Sequence, residues 1–177
     1  GAHSLAGILQ RINQSLEVER VLHLLATHAA QLIGGSGSTV FLLENGELIA
    51  AAGAGSEKVM VGHGQSLTES FAADVVRSHR PRRTRDLEAM LRGATATRNE
   101  DEIGRVGAIA APLMIADRPI GALVVTGVAA QRFSDHHEQL LVTLATHGAI
   151  ALENAKLYRA AAQTARGVLD QADEHGV

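Results

Sequence analysis

Cysteine is absent from the 177-residue chain. Disulfides, thiolate-held zinc, iron–sulfur clusters, cysteine nucleophiles and thioether-attached pigments are therefore all excluded. Tryptophan is absent too, and one Tyr and three Phe supply all the ring surface, so stacking platforms for single-stranded nucleic acid are scarce. An excess of positive charge is missing: 16 basic against 19 acidic residues leave a formal net charge of −3, the wrong sign for general attraction to phosphate backbones. No run reaches the roughly 20 uninterrupted apolar residues of a membrane helix; the nearest, Val106 to Ala130, is broken by Pro112, Asp117, Arg118 and Pro119. The first residues lack the charged-then-apolar layout of a secretory signal. These absences point to a cytoplasmic domain with no nucleic-acid and no membrane partner. The opening Gly1-Ala2-His3, without methionine, reads as a piece of a longer parent.

What is present is largely aliphatic. The chain is 46% hydrophobic and 20% charged, with 30 alanines, a balance suited to a globular fold. Its length fits a single domain over residues 1–177, able to bury roughly two-thirds of its unfolded surface without covalent staples.

Leu5, Ile8, Leu9, Ile12 and Leu16 recur at helical spacing, and Val18, Val21, Leu22, Leu25, Ala29, Leu32 and Ile33 continue the stripe after a break expected near Ser15. Gly34 and Gly35 stop this helical region. Val40-Phe41-Leu42-Leu43-Glu44 and Glu47-Leu48-Ile49-Ala50 flank Asn45-Gly46, a strong hairpin signal. Val59-Met60-Val61 is a further candidate strand. Ser66-Leu67-Thr68-Glu69 has capping-box spacing and opens a helix through about His79, ended by Pro81. Arg82 to Asp86 reads as a short extended stretch, and Leu87 to Arg105 as a helical turn around Glu88 to Leu91 followed by a polar loop. Val106 to Ile115 and Ile120 to Thr126 are strands about the turn Ala116-Asp117-Arg118-Pro119. From Ser134 a long helix runs past Tyr158 to about Asp173. Clustered hairpins with helices at both ends imply an α+β layer fold.

Four pieces of the chain stand out together: the hairpin Val40-Phe41-Leu42-Leu43-Glu44-Asn45-Gly46 with Ala51-Ala52-Gly53; the step His79-Arg80-Pro81-Arg82 leading to Asp86; Ala111-Pro112-Leu113-Met114-Ile115 with Arg118-Pro119-Ile120-Gly121-Ala122-Leu123-Val124-Val125; and Phe133-Ser134-Asp135 through Ala149-Ile150-Ala151-Leu152-Glu153-Asn154-Ala155 to Leu157-Tyr158. In these four pieces the chain resembles the GAF domain family of small-molecule sensor modules. The resemblance covers about residues 15–160. It implies a central antiparallel sheet with the N-terminal helix (4–33) and the long C-terminal helix (134–173) on one face. On the other face it implies a pocket lidded by a helix and a loop.

Departures from the family's branches narrow the ligand. The branches that attach a bilin or reduce free methionine sulfoxide need cysteine, which this chain lacks. The cyclic-nucleotide branch carries an Asn-Lys-Phe-Asp-Glu motif, whereas the only lysines here, Lys58 and Lys156, lie in no such string. The haem-binding branch places a histidine just before the Pro-Leu strand, and Arg98 to Ala111 contains none, which argues against haem. The cofactor, if any, is unknown.

The nine histidines show no metal-ligand spacing. His136 and His137 are adjacent, and His23 and His28 are five apart rather than four; they read as surface or cap residues. No Gly-x-Ser-x-Gly elbow or phosphate loop is present, so no catalytic residue is assigned. Between Arg77 and Arg98 lie Arg77, Arg80, Arg82, Arg83, Arg85, Arg92 and Arg98 against Asp86 and Glu88. Such arginines suit an anionic or oxoacid-like ligand, or form a solvated face answering Glu100-Asp101-Glu102.

Strand alternation puts Phe41 and Leu43 on one sheet face and Val40 and Leu42 on the other. The expected pocket lining is Phe71, Val75, Arg83, Arg85, Asp86, Leu91 and Met114. The expected dimer seam on the terminal helices is Leu140, Leu144, Ala151, Ala155 and Ala162. The function implied is a non-enzymatic sensor or regulatory domain of a bacterial signal-transduction protein, in a two-component or transcription-regulating setting. It would bind a small molecule, form a homodimer through its terminal helices and pass the signal to a C-terminal output domain. The alternatives are a ligand-free dimerisation scaffold and, more remotely, a small-molecule enzyme on the same fold.

Overall fold

The structure, a computed structural model, describes residues 5–56, 67–91, 106–128 and 133–174. Nine elements follow in order: α1 Leu5–Ile33, β1 Gly37–Glu44, β2 Glu47–Gly55, α2 Leu67–Ser78, β3 Arg82–Thr84, α3 Leu87–Leu91, β4 Val106–Ile115, β5 Arg118–Val128 and α4 Asp135–Glu174. The strands form one open five-stranded sheet in the order β2-β1-β5-β4-β3, and each neighbouring pair is antiparallel. This is an α+β layer architecture. The candidate strand Val59–Val61 and the cap Ser66 lie outside the described residues.

Alternation along each strand sorts side chains into two cores. Val40, Leu42, Ile109, Ala111, Leu113, Leu123 and Val125 pack with Leu22, Leu25, Ala29 and Ile33 of α1 and Leu141, Ala145 and Leu152 of α4. Phe41, Ala108, Ala110, Ala122 and Val124 pack on the opposite face with Phe71, Ala72, Val75 and Val76 of α2 and Leu87 of α3. The terminal helices thus share one face, and α2 and α3 cover the other.

Alanine and glycine bring the layers close. A Cβ at Gly148 of α4 would lie 2.6 Å from Leu25 Cδ1 of α1, so its absence gives the Leu25 side chain room between the two helices. Ser38, buried on β1, donates its hydroxyl to the Ala26 carbonyl of α1 and ties that helix to the sheet.

Two boundaries differ from the sequence expectation. α1 is continuous across Ser15, because serine costs a helix only a few tenths of a kcal/mol and no Pro or Gly lies between Ile8 and Ile33 to break it. β5 begins at Arg118, not beyond Pro119. The register steps from Leu113↔Gly121 to Met114↔Pro119, leaving Ile120 as the extra residue of a bulge, where a residue without an N–H is tolerated. Elsewhere the local chemistry acts as the residue types require. Asn45 and Gly46 turn the first hairpin with φ of 51° and 81°, and Gly34 ends α1 with φ of 75°.

Candidate functional site on the α2 face

The face beneath α2 is apolar and built from small side chains. Phe71 and Val75, both expected there, are fully buried against the sheet. Among the described residues no charged side chain is buried; the buried polar ones are Ser38, Thr39, Thr68 and Thr126. Thr39 and Thr126 share the α2 face, aligned with Val124 and Ala108 respectively. Thr126 Oγ1 reaches the Gly37 carbonyl at 3.5 Å. Among the described residues Thr39 Oγ1 is buried with no hydrogen-bond partner. An orphaned buried hydroxyl costs roughly 1–3 kcal/mol.

Of the clustered arginines, Arg92 and Arg98 lie outside the described residues, and Arg77, Arg82 and Arg83 already hold carboxylates. On α2, Asp74 is gripped by Arg77 one turn on and by Arg82 Nη1 of β3 at 3.2 Å. Arg83, expected in the pocket, points the other way. It aligns with Ile109, whose side chain belongs to the terminal-helix core, and its Nη2 donates to Asp135 Oδ1 at 2.5 Å. The hydrogen bond to Asp135 raises the guanidinium pKa further, opposed by desolvation and supported by the charges of Asp135 and Glu138. The cation is therefore fixed at every accessible pH.

The other expected lining residues are dispersed. Arg85 is exposed. Asp86 is a cap: its Oδ1 accepts the Ala89 N–H at 3.1 Å at the start of α3, and its backbone exchanges bonds with Thr84 Oγ1. Met114 is half-buried at the β4–β5 bulge, and the Leu91 side chain is outside the described set. Sequence reasoning missed Arg82, Asp74 and Thr39. The alternation of Arg82 and Arg83 was the available signal, since only one of two successive strand residues can face α2.

The expected dimer seam is also redistributed. Leu140 and Leu144 are half-buried against the domain's own core, and Ala155 is buried. A helix lying on its own sheet turns its most regular apolar stripe inward. Ala151 is exposed, and the Ala162 side chain is outside the described set. Among the described residues of the terminal helices, the large apolar side chains that face outward are Val142, Ile150, Leu157, Val168 and Leu169 of α4, with Leu5, Leu16, Leu24 and Leu32 of α1. At 100° per residue Val142, Ile150, Leu157 and Val168 fall within about 80° of one another, and Leu169 stands apart from them.

At the start of α4, Ser134 and His137 cap the helix reciprocally. The Ser134 N–H donates to His137 Nδ1 at 3.0 Å, and the His137 N–H donates to Ser134 Oγ at 3.2 Å. The imidazole takes the place that Glu or Gln fills in a capping box. His137→Ala is expected to lower stability by about 1 kcal/mol, whereas His137→Gln keeps the acceptor and loses little; thermal denaturation of both variants checks this. The described residues hold no cluster of three or more metal-ligating side chains, and no helix among them is long and apolar enough to cross a membrane.

An open antiparallel sheet carrying its terminal helices on one face and a short helix over a small apolar layer on the other defines a class of α+β layer domains. The family model for the GAF domain matches residues 15–153, and the chain belongs to that family. No curated protein matches the chain in sequence. Among solved structures it is similar to the GAF-B domain of DevS from Mycobacterium smegmatis, with 21% identity, a TM-score of 0.63 and coverage of 80% of this chain and 97% of that one. It is also similar to the GAF domain of a phosphoenolpyruvate-protein phosphotransferase from Coxiella burnetii, with 24% identity, a TM-score of 0.65 and coverage of 88% and 94%. The type II free methionine-R-sulfoxide reductase from Thermoplasma acidophilum has the same fold at 16% identity and a TM-score of 0.60, with 77% and 93% covered.

Proposed function

We propose that the chain is a non-enzymatic sensor domain that takes a small, uncharged molecule between α2 and the sheet and works as a homodimer through its terminal helices. The observation that carries the ligand reading is the orphaned Thr39 hydroxyl on the apolar α2 face. It offers one hydrogen bond to a guest otherwise held by aliphatic contact, the usual make-up of a small-molecule site. An anionic guest is less well served, since Arg77, Arg82 and Arg83 already engage Asp74 and Asp135. The lack of cysteine supports the non-enzymatic part, because thiol chemistry of the reductase kind is closed to this chain. Cytoplasmic residence in a bacterial signalling protein with a C-terminal output domain completes the reading.

Native mass spectrometry of the purified domain tests it. The wild type is expected to carry a co-purifying small molecule, and Thr39→Val to lose it. Removing the orphaned hydroxyl is also expected to stabilise the ligand-free fold by about 1 kcal/mol, or roughly 2–4 °C in Tm. A wild type without any guest, and a Thr39→Val variant that melts lower, favour the ligand-free scaffold instead.

A further inference from the structure

Arg82 and Arg83 are consecutive on β3, so their side chains leave on opposite faces of the sheet. Each finds a carboxylate there. Arg82 reaches Asp74 of α2 at 3.2 Å, and Arg83 reaches Asp135, the first residue of α4, at 2.5 Å. β3 is an edge strand of three residues held to the sheet by β4 alone. It runs straight into the Thr84–Asp86 bonds and the Asp86 cap of α3. We infer that β3 is a strap that couples α2, the helix over the candidate ligand site, to the first turn of α4 on the opposite face.

The sheet itself is a poor route between those helices. Its middle is a close-packed layer of Ala, Val and Leu, and such layers resist bending. The short edge strand yields more readily, because only the pairs Arg82↔Ala110, Arg83↔Ile109 and Thr84↔Ala108 hold it. Arginine suits both ends, since a planar guanidinium fixes the direction of its bond where an ammonium would swivel. On the α4 side the cation faces both Asp135 and Glu138, so a displaced Arg83 is drawn back to the same turn. When α2 shifts over a guest, Arg82 follows Asp74, β3 slides, and Arg83 pulls or releases the start of α4. The purpose of this strap rests on the sensor reading, but the coupling exists without any guest.

Hydrogen exchange of the whole chain at low ionic strength measures it directly. The reporter is the first turn of α4, where the Glu138 N–H donates to the Ser134 carbonyl at 3.1 Å. Arg83→Gln is expected to speed exchange there. Asp74→Ala, on the opposite face, is expected to do the same by about two- to fivefold, the range that surface ion pairs support. Combined with Arg83→Gln it adds nothing further, because the link is already cut. Arg80→Gln removes a rim charge without touching either carboxylate and is expected to leave the turn unchanged. The strap is overturned if Asp74→Ala alters α2 alone, if the double variant equals the product of the singles, or if Arg80→Gln reproduces the effect. Such a failure leaves the Thr39 experiment untouched, since that experiment reads occupancy rather than transmission.

Discussion

Gly121→Ala is expected to lower stability by about 3 kcal/mol or more, the loss of a large part of the 5–15 kcal/mol that holds a typical domain. A Cβ at this position would sit 2.0 Å from the Phe41 carbonyl oxygen, 3.0 Å from its carbon and 3.2 Å from Leu42 Cα. All three are backbone atoms, so no side chain can rotate away. Gly121 lies on β5, the middle strand, paired with Leu42 on one side and Leu113 on the other. Relief therefore means parting β1 from β5 where their ladder ends, at the pair Leu42↔Gly121. Gly46→Ala is the contrasting case. Nothing lies within 4 Å of its added Cβ, and only the φ of +81° opposes it, a cost of about 1–2 kcal/mol. Denaturant titration with an unchanged m value reports both losses. Equal effects would refute the clash at Gly121.

The second large effect concerns assembly. Glutamates at Ile150 and Leu157 are expected to turn a dimer into an 18.6 kDa monomer in light scattering at tens of micromolar, while the melting temperature of the sheet barely moves. These side chains are 48% and 59% exposed in the single chain, so its own fold does not depend on them. In a symmetric seam each substitution counts twice, and four lost apolar contacts at about 1.5 kcal/mol each weaken Kd by a thousandfold or more. The second half of α4 supplies the motive. Thr164, Ala165, Val168 and Leu169 are exposed there, and a helix extending past its sheet is marginal in water without something to lie against. A wild type that is monomeric at those concentrations removes the dimer.

Much of this architecture was legible in the residues, for identifiable reasons. Asn45-Gly46 between apolar runs, Gly34 after a helical stripe and the alternation around Phe41 are local signals, and the folded chain uses each as its chemistry dictates. What escaped was information that exists only in three dimensions. The Ser15 break failed because a helix tolerates a single weak residue. Pro119 reads as a turn residue until the bulge at Ile120 is seen. The arginine cluster reads as one basic patch, yet the strand divides it between two faces. Leu140 and Leu144 read as a seam between copies because periodicity shows that a stripe is apolar, not what covers it.

The length of α4 has a mechanical consequence. Ala155 is buried on it and Leu157 already exposed, and 19 further residues lead from Ala155 to Glu174, an arm of about 28 Å at 1.5 Å per residue. Pivoted at Ala155, such an arm magnifies small rotations: a tilt of about 5° at the sheet sweeps its tip sideways by about 2.5 Å. That exceeds the 1–2 Å helix shifts that suffice for switching at subunit interfaces. The cores can therefore stay rigid while the tip of α4 moves, because leverage rather than deformation supplies the amplitude.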